Sequence, residues 1–247
     1  MASFETPSVS LFLRTYRKDA PWVVELMRSF DRWVKIGGPD GFRELVVHVD
    51  QCDVATFKPI IGDRGRIVSC APWGENGYKN QQVAKLNADL WCKSPYILYL
   101  DSDYMVCDVC TPDKFFVDGK PDLLITPYSV IGHTVPWQNP TQRILGFPVE
   151  YESMRGPRLC HPTELLPALR NHIVQTHGLQ SASHWLAKQD GLSEFNLMGS
   201  FAWRVAQDRY HWRDTTKMPL PSNPFLQFWS VGGITPEVRM KIEAALA

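Results

Sequence analysis

Two carboxylates stand one residue apart in Asp101-Ser102-Asp103, directly after the apolar run Tyr96-Ile-Leu-Tyr-Leu100. An apolar run of this length, rich in strand-favouring residues, predicts a strand buried on both faces. The carboxyl end of such a strand is where an open α/β sheet holds its ligands. Acids at i and i+2 reach one ion if the chain bends between them, and hard divalent cations take oxygen ligands from protein and substrate together. The spacing therefore predicts that Asp101 and Asp103 hold Mg²⁺ or Mn²⁺, and that the ion anchors a nucleotide diphosphate and stabilises charge on it as it departs. A D-x-D alone is common; the buried strand before it supplies the specificity. Other phosphate-binding devices are missing: no G-x-G-x-x-G follows the first strand and no Walker A loop occurs. Nor is there a G-x-S-x-G nucleophile elbow. Cys107-x-x-Cys110 has the spacing of half a zinc site, but no second Cys/His pair of suitable spacing follows.

Acids of this kind need a sheet to present them. Residues 9–14 read as a first strand, 15–20 as a polar turn, and Pro21 suits the first turn of a helix. Val23, Met27, Phe30 and Val34 then recur at helical spacing over 22–34, and Gly37-Gly38-Pro39-Asp40-Gly41 ends that helix. Residues 44–50 form a second buried strand that again ends in an acid, Asp50, and 66–70 a third. Repeated β-α-β units predict a mostly parallel sheet flanked by helices. Residues 78–91 carry Val83, Leu86 and Leu90 on one helical face and Gln82, Lys85 and Asp89 on its neighbour. That helix leads into the strand at Tyr96, so its polar face is expected beside Asp101. Residues 122–126 predict a further strand, and 127–148 an irregular stretch long enough to be a functional loop. Beyond it, 162–177 reads as a helix capped by Thr163, 195–206 as helical or mixed, 210–213 as a short strand and 236–247 as an amphipathic helix. No repeat, low-complexity tract or composition break divides the chain, so one α/β domain is expected.

A strand ending in Leu100-Asp-Ser-Asp103, after three β-α units and a Lys/Gln-bearing helix, resembles the nucleotide-sugar-dependent glycosyltransferases of the GT-A fold. Asn76-Gly-Tyr-Lys-Asn-Gln-Gln82 with Lys85-Leu86, Ser193-Glu-Phe195 with Gly199, and Trp229-Ser-Val-Gly-Gly-Ile-Thr-Pro236 are similar to a group of small GT-A enzymes. That group includes a glycosyltransferase domain of large algal viruses, the chloroviruses. The resemblance covers most of the chain, and the D-x-D is its best-understood motif. It implies a single GT-A-like domain with a donor-binding half over about 1–126 and a mixed acceptor-binding half over about 127–247. It implies that Asp103 is the principal metal ligand and that Asp101, with Ser102, meets the metal or the donor. Thr15, Tyr16, Arg17 and Asp50 would sit by the base and ribose, and Lys85 by the donor sugar or phosphate. A further metal ligand is expected from the C-terminal part, with His211 as the candidate. An inverting transfer needs a general base for the acceptor hydroxyl; Glu194, after a capping Ser193, is the expected base and Asp190 the alternative. Trp137, Arg155 and Trp185 are candidates for acceptor contact. The implied activity is transfer of a sugar, hexosyl or deoxyhexosyl, from a UDP-linked donor to a carbohydrate or glycoconjugate hydroxyl.

The bulk composition agrees with a globular enzyme. The chain has 247 residues, 44% of them hydrophobic, enough for a large core. Its 26 basic and 26 acidic residues balance, which disfavours nucleic acid as a partner. No run approaches the ~20 apolar residues of a membrane span. Residues 1–10 show no basic region before an apolar one, so no signal peptide is expected. The six cysteines show no dense framework and are expected as free thiols in a reducing compartment, hence a cytoplasmic location. Two rival functions stand beside the glycosyltransferase. A nucleotidyltransferase or sugar-phosphate pyrophosphorylase would carry a glycine-rich basic loop after the first strand, whereas Arg14-Thr-Tyr-Arg-Lys18 is basic but has no glycine. A nucleotide- or carbohydrate-binding protein without catalysis would bind UDP and metal but turn over no donor.

Overall fold

The computed structural model describes residues 7–132 and 136–246. The expectation about a signal peptide at residues 1–10 therefore lies outside the described residues over 1–6, as does part of the 127–148 stretch over 133–135 and the last residue of the predicted terminal helix.

The chain opens with β1 (Val9–Arg14), α1 (Ala20–Trp33), β2 (Glu44–His48), α2 (Val54–Ile61), β3 (Arg66–Val68), α3 (Gly77–Lys85) and β4 (Tyr96–Leu100). These strands form one sheet in the order β3-β2-β1-β4, all parallel, extended by β9 (Cys160–Pro162) antiparallel to β4. Every residue of β1 is buried, as expected of a central parallel strand; its apolar residues Val9, Leu11, Phe12 and Leu13 enter the cores, while Ser10 and Arg14 are buried with partners, Glu44 and Asp50. Successive side chains alternate between two cores. Leu11, Leu13, Leu98 and Leu100 enter one core, with α1, Phe57 of α2 and the distant Ile242. Phe12, Ile97 and Tyr99 enter the other, beside Val83, Leu86, Leu169 and Phe195. Helices thus cover both faces of the sheet, which is the expected α/β architecture.

After β4 come β5 (Tyr104–Val106), β6 (Phe116–Val117), β7 (Lys120–Pro127), α4 (Tyr128–Ile131), α5 (Gln138–Leu145) and β8 (Tyr151–Glu152). Past β9 the chain forms α6 (Leu165–His177), α7 (Ala182–Leu186), α8 (Glu194–Val205), β10 (His211–Asp214), β11 (Phe225–Gln227) and α9 (Pro236–Leu246). A second sheet centres on β7, which pairs with β10 in parallel and with β6 and β8 antiparallel. β11 pairs antiparallel with β5, bringing the C-terminal part back beside the acids.

Several expectations are corrected. The 127–148 stretch is not wholly irregular: α4 and α5 lie in it, and Pro140 falls in the first turn of α5, where its missing N–H has no helical partner to lose. Thr163 does not cap α6, which begins at Leu165; its hydroxyl donates to the Ser94 carbonyl at 2.6 Å and holds the β9 end to the start of β4. Nor does the Ser193 hydroxyl cap α8: it occupies the cap position but accepts from the Asn196 side chain at 2.9 Å. The helix expected over 78–91 is α3 followed by a separate 3₁₀ turn, Ala88–Leu90. Its polar face divides accordingly. Lys85 turns into the cleft, while Asp89 pairs with Arg170 at 2.6 Å.

Candidate active site

A cleft of about 620 Å³ opens at the carboxyl ends of β1 and β4. The parallel sheet creates it: both strands end there, and the chain must turn away on either side. Asp101, Ser102 and Asp103 line its floor, Lys85 and Glu194 one wall, and Tyr16 and Asp19 the other. Ser102 donates to the Thr15 hydroxyl at 2.9 Å, which ties the two strand ends together beneath the surface.

Lys85 is the hub of one wall. Its Nζ lies 2.7 Å from Asp101 Oδ1 and 2.9 Å from Glu194 Oε1, and 4.5 Å over the Phe195 ring. Burial by itself would lower the Lys85 pKa; the charges of Asp101 and Glu194 outweigh it and hold the ammonium above its usual range. The buried Tyr104 hydroxyl also hydrogen-bonds Asp101.

Asp103 has no such cation among the described residues. Its Oδ2 accepts the Ser230 N–H at 3.0 Å, and its carbonyl accepts the Phe228 N–H at 2.9 Å. Burial, then repulsion from Asp101, pushes its carboxyl up to about 6, against the smaller help of the Ser230 N–H. Asp19, linked by side-chain hydrogen bonds to Ser102 and Tyr16, is also raised, mainly by burial. Among the described residues no group of three or more His, Cys, Asp and Glu is arranged to hold a metal. The donor set nevertheless suits a hard divalent cation that takes few protein ligands: Asp103 is a carboxylate short of positive charge, Asp101 lies beside it, and the cleft leaves room for phosphate oxygens and water.

The other expected site residues divide. Asp50 lies in a side pocket of about 210 Å³ that shares Tyr16, Tyr78 and Gln81 with the cleft, and Arg14 reaches it at 2.6 Å. Trp137 and Arg155 line the cleft. Five residues do not join it: Thr15, expected by the base and ribose, is fully buried beneath Ser102, and four others point elsewhere. Arg17 is turned outward onto Asp53 at 3.2 Å. Asp190 is almost fully exposed and pairs with Lys79 at 2.9 Å, because it sits in the loop before α8 rather than on it. His211 lies on β10, in the second sheet, with its Nδ1 2.7 Å from the buried Asp122. Trp185 stacks on His177 at 4.3 Å and packs partly buried against the core, away from the cleft lining. Sequence reasoning missed Asp19, Tyr78 and Glu152 in the lining, and Ser230 as a partner of Asp103. Asp19 had a signal in its place three residues after Tyr16 on a turn leaving β1; the others depend on contacts distant in sequence.

No family model matches the chain, and no curated protein matches its sequence. Among solved structures the chain is similar to 4-diphosphocytidyl-2C-methyl-D-erythritol synthase of Anaerococcus prevotii DSM 20548, at 12% identity over 98% of this chain and 96% of that one, TM-score 0.48. It is similar to glucosyl-3-phosphoglycerate synthase of Mycobacterium tuberculosis in complex with Mn²⁺, UDP and glucosyl-3-phosphoglycerate, at 14% identity over 97% and 80%, TM-score 0.48. It is similar also to the galactosyltransferase LgtC in complex with donor and acceptor sugar analogs, at 13% identity over 96% and 95%, TM-score 0.47. At such values these similarities supply no residue-by-residue correspondence.

Proposed function

We propose that the protein is a metal-assisted glycosyltransferase of GT-A type that moves a sugar from a nucleotide-diphosphate donor, UDP-linked, to an acceptor hydroxyl with inversion. The observation that carries this reading is that one cleft at the sheet's carboxyl edge gathers Asp103, a buried carboxyl without an ion pair among the described residues, with Asp101 and Glu194, both held by Lys85 at 2.7 and 2.9 Å. Asp103, with Asp101 beside it, would hold the divalent cation, which when bound neutralises the donor diphosphate and its departing form. Tyr16 and the Arg14–Asp50 side pocket would take the base and ribose. Ser102 and Thr15 keep the two strand ends in register beneath them. Glu194 accepts the proton of the acceptor hydroxyl as its oxygen bonds the sugar C1 and the C1–phosphate oxygen bond breaks, the electron pair leaving with the nucleoside diphosphate. Lys85 aims Glu194, and Trp137 and Arg155 face the acceptor side. In this reading the donor half is about 1–126 and the acceptor half about 127–247.

The nucleotidyltransferase reading wants free cations after β1 to meet a triphosphate. Arg14 is buried against Asp50 and Arg17 lies on Asp53, so neither is aimed at the cleft floor. The test is donor hydrolysis and transfer with Mn²⁺ over a panel of nucleotide sugars. Asp103→Ala is expected to lower turnover by at least about a hundredfold, and the product anomer by NMR reports inversion. Unchanged hydrolysis by Asp103→Ala overturns the metal site. Binding of UDP with metal but no turnover of any donor would leave a binding protein.

A further inference from the structure

A second cavity, of about 220 Å³, lies on the opposite face of β8 from the cleft. Neighbouring residues of an extended segment point to opposite sides. Glu152 faces the cleft, while Tyr151 and Ser153 face the second cavity. α8 serves both spaces in the same manner. Glu194 and Phe195, in its first turn, line the cleft; Ser200 and Trp203, further along, line the second cavity.

The lining has three chemical parts. Trp203 and Tyr151 form a half-exposed aromatic wall with ring centroids 4.7 Å apart, and Trp212 braces Trp203 from behind at 5.0 Å. The exposed side chains of Glu150, Arg204 and Gln207 make a polar rim. On the inner side Ser200 is only 7% exposed, and its hydroxyl has no hydrogen-bond partner among the described residues. A buried polar group without a partner is costly and uncommon in a folded protein, so such a hydroxyl beside a cavity points to a polar guest. The space is about a third of the cleft and has one cation, Arg204, on its rim, which does not suit a nucleoside diphosphate. A charged rim and an orphan hydroxyl do not suit an alkyl chain. A sugar ring matches all three parts: its C–H faces lie on aromatic rings and its hydroxyls meet rim and floor.

We propose that this cavity is a saccharide subsite, separate from the catalytic cleft, that takes one pyranose ring of a saccharide chain. That the chain is the acceptor rests on the glycosyltransferase reading; that a sugar ring binds does not. The test is ligand-observed saturation-transfer NMR on the full chain with the methyl glycosides of glucose, galactose, mannose and rhamnose. At least one glycoside is expected to bind wild type and to bind Glu194→Gln equally well. Trp203→Ala should weaken it about tenfold, and Ser200→Ala about threefold to tenfold. Ser200→Ala removes an unsatisfied group, so its melting temperature should equal or exceed wild type, and its loss of binding cannot be ascribed to unfolding. Binding by none of the four glycosides overturns the subsite, as does binding left intact in both cavity variants or abolished by Glu194→Gln. Donor hydrolysis in the absence of acceptor separates the two claims. It should be unchanged in Ser200→Ala, and a wild type that binds the glycoside without hydrolysing any donor keeps the subsite while refuting the glycosyltransferase.

Discussion

Lys85 carries its charge into the interior, 2.7 Å from Asp101 and 2.9 Å from Glu194. Removing one member of a buried ion pair leaves the other uncompensated, at a cost of about 3–5 kcal/mol. Lys85→Met should lower unfolding free energy by about that amount in urea, and Lys85→Met with Glu194→Leu should recover part of it, the rest being held by Asp101, which also loses its partner. If Glu194 is the base as proposed, transfer should be lost in both, since it is displaced in the first and absent in the second. Asp103 gives the opposite case, a carboxyl with too little positive charge. Burial and Asp101 raise it to about 6 in the folded protein. A carboxyl raised on folding favours the folded state while protonated, so that contribution is present at about pH 4 and lost as pH rises through about 6. In metal-free protein at about pH 8, Asp103→Asn is therefore expected to be more stable than wild type by about 1 kcal/mol or more, after allowing for the solvent that still reaches the site. At about pH 4 the two should melt alike. Asp101, Asp103 and Glu194 were legible in sequence as cleft residues, through the buried strand before Asp101 and the helix start at Glu194. That Lys85 lies beside Asp101 was legible from the polar face of its helix; that it also reaches Glu194 was not, because that contact spans residues 109 positions apart.

α8 owes its position to close packing on β8. Ser153 donates its N–H to Asn196 Oδ1 at 2.9 Å and its hydroxyl to the Phe195 carbonyl at 3.0 Å, so the first turn of the helix, which bears Glu194, is held by that strand. One turn on, a Cβ at Gly199 would fall inside contact distance of Ser153 Oγ and Cβ. Gly199→Ala should cost about 1–3 kcal/mol in chemical denaturation. Adding Ser153→Ala should return only part of it, because the Ser153 Cβ also crowds the new methyl. Elements whose signal lies in their own residues were legible: β1, β2 and β4 as apolar runs, α1 by its period. β8, β9 and the β5–β11 pair are too short to show a period, and their identity comes from the strand each one meets. α2 was unseen because Pro59 inside it reads as a breaker.

At the scale of the molecule, two buried histidines contribute to the acid limit, beside paired carboxyls such as Glu44 and Asp31. His48 and His161 are each lowered to about 3, the first by burial and then by Arg14, the second by burial. Below about 6.5 the unfolded chain takes up protons that these folded histidines refuse, so stability falls with falling pH by at most about 1.4 kcal/mol per unit for each until about 3. His161→Gln should flatten that limb in denaturant titrations between pH 6 and pH 4, even if it lowers stability at neutral pH by breaking the 3.0 Å contact with the Tyr210 hydroxyl. The parallel sheet and its helices were readable from β-α periodicity, whereas the fold's return on itself was not, since no local pattern announces that Phe225 and Ile242 belong to the core under β1. That return bears on how the molecule comes into being. Ser230 grips Asp103 across 127 positions, and β11 seals β5 beside it. During synthesis the strands that carry the acids emerge long before the segment that completes their corner. A ribosome-bound chain stopped short of residue 225 is thus expected to have its sheet but not the finished corner at Asp103, so the proposed activity should switch on late and abruptly in a series of lengthening nascent chains.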